Sequence, residues 1–136
     1  MNPILPDYIV ARLRRPFPDG APVVPGSTPV LSFGNVSEAT VATLGLNPSR
    51  QEFLNQKGRE LSGAERRFET LSSLGVNSLE SATEAELHRV VNACNNYFSG
   101  KPYRLWFNQL EPVLKSAGAS YYDGTACHID LVQWAT

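Results

Sequence analysis

The chain has 136 residues, 42% of them hydrophobic and 18% charged, with a formal net charge of −1. That length suits one domain, 1–136, large enough to bury roughly two-thirds of its unfolded surface. The composition excludes a disordered chain and a globally basic nucleic-acid binder. Charge is mildly uneven: residues 1–67 hold eight Lys/Arg against six acids, and residues 68–136 hold four against seven.

The first predicted element is a short helix from Pro6 to Arg15 with Ile9, Val10 and Leu13 on one face. Arg12, Arg14 and Arg15 at its end either touch a phosphate backbone or complement the helix carboxyl terminus. Asp7 and Arg12 interrupt any secretory signal, and no stretch approaches the roughly 20 apolar residues of a membrane span. Residues 16–29 hold five prolines and two glycines and read as a loop or extended arm. Val30 to Phe33 is a candidate edge strand, and Gly34-Asn35 a turn.

Thr40 to Ser49 is the most informative stretch. The β-branched run through Val41, Thr43 and Leu44 favours a buried strand that stops at Gly45. Pro48 biases Asn47 to extended backbone and removes a donor. A carboxamide is thereby held at the carboxyl end of a strand, where open α/β sheets place ligands. Ser49 and Glu52 have capping-box spacing, so a helix is expected directly after Pro48. The local alternative is a strand exit and a capped helix with no further role.

Phe68, Leu71 and Leu74 predict a helix over 65–74, with Gly75 past its end. Thr83 and Glu86 form a second capping box ahead of Leu87, Val90, Val91 and Cys94. Tyr103, Trp106, Phe107, Leu110 and Leu114 mark a third helix, which Pro112 should kink or end. Ala126 to Trp134 reads as a strand, with Cys127, Ile129 and Leu131 facing opposite to His128, Asp130 and Val132. At i and i+2 on a strand, His128 and Asp130 lie about 7 Å apart, too far for direct proton exchange. Cys94 and Cys127 have no metal-ligand spacing and read as buried thiols suited to a reducing cytoplasm.

Strand, strand, helices, strand implies an α/β layered domain with a mainly parallel sheet. Three visible strands leave that sheet incomplete. The chain is therefore expected to be the amino-terminal portion of a longer protein, or to close its open sheet edge as a homo-oligomer.

The Gly45-Leu46-Asn47-Pro48-Ser49 turn resembles the first active-site motif of the uracil-DNA glycosylase superfamily. It is closest to the Gly-Ile/Leu-Asn-Pro form of the mismatch-specific and thymine glycosylase branch. The segments Tyr97-Phe98, Pro102 to Phe107 and His128 to Val132 sit where that superfamily has a helix and then a base-contacting strand. The resemblance implies a three-layer α/β/α fold and hydrolysis of the N-glycosidic bond of uracil or a related deaminated base in single-stranded or mismatched DNA. Water is the nucleophile, and neither metal nor organic cofactor is required.

By the same resemblance Asn47 either positions the attacking water or contacts the deoxyribose and base, with Gly45, Leu46, Pro48 and Ser49 around the base and Phe53 as a stacking ring. Asp130 stands where family members often carry a base-reading Asn; an ionised carboxylate there only accepts hydrogen bonds, so it repels the uracil carbonyls and suits an exocyclic amine better. Arg50, Lys57 and Arg59 read either as DNA-phosphate contacts or as a solvated face. Tyr97, Phe98, Tyr103, Trp106 and Phe107 form either a stacking platform or, as their spacing favours, core. The family's second motif, a histidine-bearing loop, has no counterpart: His88 lies in a predicted helix and His128 in a strand. Catalysis is thus lost or completed by further sequence. The alternative is a non-catalytic module of the same fold that binds nucleic acid or a protein.

Overall fold

The computed structural model describes residues 4–136. In chain order the regular elements are α1 (Asp7–Arg14), β1 (Val41–Gly45), α2 (Leu71–Leu74), α3 (Glu84–Asn95), α4 (Arg104–Phe107), α5 (Glu111–Ser116) and β2 (Ala126–Asp130), with short 3-10 turns between them. The fold is α/β. β1 and β2 pair in parallel, Val41 opposite Ala126 through Gly45 opposite Asp130, so the helices form the crossover between them.

The candidate edge strand Val30 to Phe33 is not a regular strand. It runs antiparallel beside β2 with single ladder contacts, Val30 N–H to Gln133 O at 2.8 Å and a reciprocal Phe33–His128 bridge. Only Val30 and Phe33 make these contacts, so no continuous ladder forms. β2 ends at Asp130, not at Trp134. Beyond it the chain still follows β1, with Leu131 N–H on Gly45 O and Val132 N–H on Leu46 O.

Local signals explain the longest helix. Thr83 Oγ1 accepts the Glu86 N–H while the Glu86 carboxylate accepts the Thr83 N–H, a closed capping box worth about 1 kcal/mol. Leu87, Val90 and Cys94 of α3 are buried as their spacing demands. The predicted helix over 65–74 contracts to α2, whose cap is Thr70, and ends at Gly75 with φ 73°. The third predicted helix splits at Asn108–Leu110 into α4 and α5 because Pro112 enters the first turn of α5.

Two apolar clusters carry the fold. One packs α1 on α3 through Leu5, Leu13, Leu74, Leu79, Leu87 and Val90. The other is aromatic and centres on Phe33, whose ring lies 4.9 to 5.5 Å from those of Phe68, Tyr97, Phe107 and His128. The sheet face bearing Val41, Thr43, His128 and Asp130 looks toward this cluster, whereas Leu44 and Leu46 are 71% and 76% exposed. No helix among the described residues is long and apolar enough to cross a membrane.

A candidate nucleobase cleft at the carboxyl ends of the strands

Gly45 is the last residue of β1 and faces Asp130, the last residue of β2. A Cβ on Gly45 would collide with Asp130 Oδ1 and come within 2.8 Å of His128 Nε2. Glycine at this point therefore lets the chain pass directly over the His128–Asp130 pair. The chain then turns through Leu46, Asn47 and the buried Pro48, leaving a cleft of about 160 Å³ beneath the turn. Its walls are Phe33, Tyr103, Trp106 and Phe107, and its polar groups come from Asn47, Ser49, Glu52, His128 and Asp130. That volume is well under the roughly 300–1,000 Å³ of sites for drug-sized ligands, and matches one small planar ring.

Asn47 stands at this cleft as the sequence predicts, but its amide nitrogen is engaged. Asn47 Nδ2 donates to Pro48 O at 3.0 Å and to Thr136 Oγ1 at 2.8 Å. Its Oδ1 has no protein partner among the described residues, and Asn47 lines the cleft. Gly45, Leu46, Pro48, Ser49 and Asp130 also line the cleft.

Phe53 does not. Its ring is 2% exposed and stacks on Phe68 at 5.5 Å inside the aromatic cluster. The expected helix after Pro48 is a single 3-10 turn, Arg50–Glu52, which rotates Phe53 inward instead of toward the site. Phe33, Trp106 and Phe107 are the rings beside the cleft that also contact His128, at 5.5, 5.1 and 5.7 Å. Phe33 went unrecognised because it lies upstream of the motif and reaches the site only by its bridge to β2.

The expected capping box at Ser49 is half formed. Ser49 Oγ accepts the Gln51 N–H at 3.1 Å, yet Glu52 turns away from the cap. Its carboxylate is buried, with Tyr97 Oη at 2.8 and 2.6 Å from its two oxygens and Arg67 Nε at 3.9 Å. Burial pushes the Glu52 carboxyl from 4.5 to about 7, with the Asp130 charge adding to the rise, while Tyr97 and Arg67 oppose it. The same pairing, together with burial, raises the Tyr97 hydroxyl.

His128 and Asp130 are in direct contact, contrary to the expected separation. His128 Nε2 lies 2.9 Å from Asp130 Oδ1, and both side chains are buried. Side chains on a strand lean along it, and a long imidazole closes the gap that backbone spacing suggests. His128 Nδ1 is 2.7 Å from Thr43 Oγ1, itself 2.6 Å from Tyr121 Oη. One pattern satisfies an ionised Asp130: Tyr121 donates to Thr43, Thr43 to Nδ1, and Nε2–H to Asp130.

The basic residues divide. Arg50, Lys57 and Arg59 are exposed and have no ion-pair partner among the described residues. The Asn55 side chain folds the second and third of them into one turn by accepting the Lys57 and Arg59 N–H groups, with Arg50 beside Gly58. Arg12 and Arg14 are instead occupied, by Gln133 Oε1 with the Trp134 ring and by Ala82 O respectively. Of the aromatic group, Tyr97 and Phe107 are buried core, while Tyr103, Trp106 and Phe107 border the cleft. No three His, Cys, Asp or Glu among the described residues are placed to hold a metal ion.

No family model matches this chain, and neither does any curated protein or any solved structure.

Proposed function

We propose that the cleft receives a nucleobase extruded from DNA and that the protein is a uracil-DNA glycosylase-like hydrolase of base-excision repair. Its substrate on this reading is uracil or a related deaminated base in single-stranded or mismatched DNA. One observation carries the proposal. Asn47, at the carboxyl end of a parallel strand, borders a ring-sized cleft walled by Phe33, Tyr103, Trp106 and Phe107.

The chemistry follows from the groups present. An extruded base needs aromatic faces and a few fixed polar atoms on its edge, both of which line this cleft. The turn bonds of Asn47 Nδ2 hold its carboxamide rigidly, so Oδ1 is a preorganised acceptor for water beside the deoxyribose. A neutral amide next to a cation-like sugar carries little electrostatic cost. Arg50, Lys57 and Arg59 supply phosphate contacts. The three-layer α/β/α arrangement belongs to the same proposal, with exposed Leu44, Leu46 and Leu131 as the surface for a further layer or, along the open edge of β1, a second copy. A reducing cytoplasmic setting suits its two free thiols.

The test is incubation with oligonucleotides carrying uracil, single-stranded and mismatched, followed by detection of abasic sites. Base release is expected, and Asn47→Ala should slow it at least ~10²-fold. Folded protein that releases no deaminated base from any such substrate would refute the proposal. The engagement of Asn47 Nδ2 with Pro48 and Thr136 favours a second reading, a non-catalytic binding module. Salt-dependent binding to undamaged DNA with no base release would select it.

A further inference from the structure

We propose that Asp130 and Glu52 act in this cleft as a base and acid pair, Asp130 taking a proton from the attacking water and Glu52 giving one to the departing base. The inference rests on the glycosidic reading above and assigns its proton transfers. Both carboxyls border the same cleft, one from the end of β2 and one from the turn after Pro48.

Asp130 is held by one oxygen and unpaired at the other. His128 Nε2–H fixes Oδ1, backed by Thr43 and Tyr121 at 2.7 and 2.6 Å. Oδ2 has no protein partner among the described residues. It is not sealed either, because the one buried side-chain polar atom without a partner among them is Arg14 Nε. A buried carboxylate with one oxygen anchored and the other unpaired at the edge of a cleft has the geometry of a positioned proton acceptor.

Glu52 has the complementary surroundings. The groups facing it are the Tyr97 hydroxyl, the Arg67 guanidinium and the Asp130 carboxylate. The Tyr97 hydroxyl also accepts the Tyr103 N–H at 2.8 Å, which fixes it as the donor to Glu52. Arg67 donates to the Gln51 and Lys101 carbonyls at 2.7 Å each, and that holds it beside Glu52 at 3.9 Å. Burial outweighs both partners and keeps the carboxyl neutral to about 7. Two carboxyls in unlike surroundings are how a site runs acid and base chemistry together.

The step balances as follows. The water oxygen forms a bond to C1′ and its proton passes to Asp130 Oδ2. The C1′–N bond breaks with its electron pair going to the base, which takes the Glu52 proton and leaves neutral. Solvent returns the proton from Asp130 to Glu52, so the net change is hydrolysis.

Single-turnover release of uracil from a single-stranded oligonucleotide, followed from pH 5 to 9 with the full chain, tests the assignment. The native rate should fall about tenfold per pH unit above about 7, where Glu52 ionises. Glu52→Gln should be at least ~10²-fold slower at pH 6 and lack that limb, and Asp130→Asn at least ~10²-fold slower throughout. Infrared difference spectra supply a readout independent of turnover: a neutral-acid carbonyl band that vanishes through about pH 7 and is missing in Glu52→Gln. Cooperative melting of both variants establishes that they fold. A Glu52→Gln protein with native rate and native pH limb overturns the acid assignment while the glycosidic reading stands. No base release by native protein removes the glycosidic reading, and the pair with it.

Discussion

Replacing Glu52 with Gln should make the protein more stable at high pH and leave it little changed at low pH. Glu52 is 3% exposed, so its charge has almost no solvent to relax into. Its carboxyl titrates near 7 when folded, against 4.5 ordinarily. A rise of about 2.5 pH units at ~1.36 kcal/mol per unit corresponds to ~3 kcal/mol. The direction follows from proton binding: between those two values the unfolded chain has released the proton that the folded chain retains. Stability from this group is therefore whole below about 4.5 and is lost as pH rises through about 7. Gln cannot ionise, and its amide oxygen still accepts the Tyr97 hydroxyl. Urea denaturation of both proteins, followed by circular dichroism from pH 4 to 8.5, isolates the effect because every other titrating group is shared. The stability difference should move by ~3 kcal/mol in favour of the variant, a large part of a typical 5–15 kcal/mol total. A difference flat with pH, or one that grows as pH falls, would show that Glu52 is not a desolvated acid.

Three further outcomes are expected. Phe33→Ala should cost ~3–5 kcal/mol, since the ring is 2% exposed and touches four others; a loss under ~1 kcal/mol in chemical denaturation would contradict its central place. Gly45→Ala should lower stability by ~1–3 kcal/mol through overpacking, and part His128 from Asp130, because the new methyl group meets both side chains; an unchanged melt would mean that the strand ends move apart freely. Burial pushes the Cys94 thiol to about 11 and the Cys127 thiol upward, so neither should react with a thiol reagent at pH 8 until the chain unfolds; rapid labelling of native protein would rule this out.

Features made within a few residues were readable from the sequence alone. The Thr83–Glu86 box and its helix, the left-handed Gly75 and the Asn47-Pro48 turn after β1 depend on neighbours along the chain. The parallel pairing of β1 and β2 followed from element order, since intervening helices make the crossover. Gly45 to Ser49 of the candidate cleft belong to that legible part, because they lie where β1 ends, whereas β2 stops at Asp130, short of the expected Trp134. Tertiary packing alone decided the rest. Glu52 has the spacing of a cap partner, but burial beside Tyr97 won over the exposed cap, and Phe53 turned into the core with it. Phe33 joined the cleft across a distance of 95 residues, through its bridge to His128. His128 and Asp130 touch because their side chains lean along the strand, which no alternation pattern records. Local backbone preferences placed the asparagine; contacts between distant segments supplied the walls and buried the Glu52 carboxyl beside it.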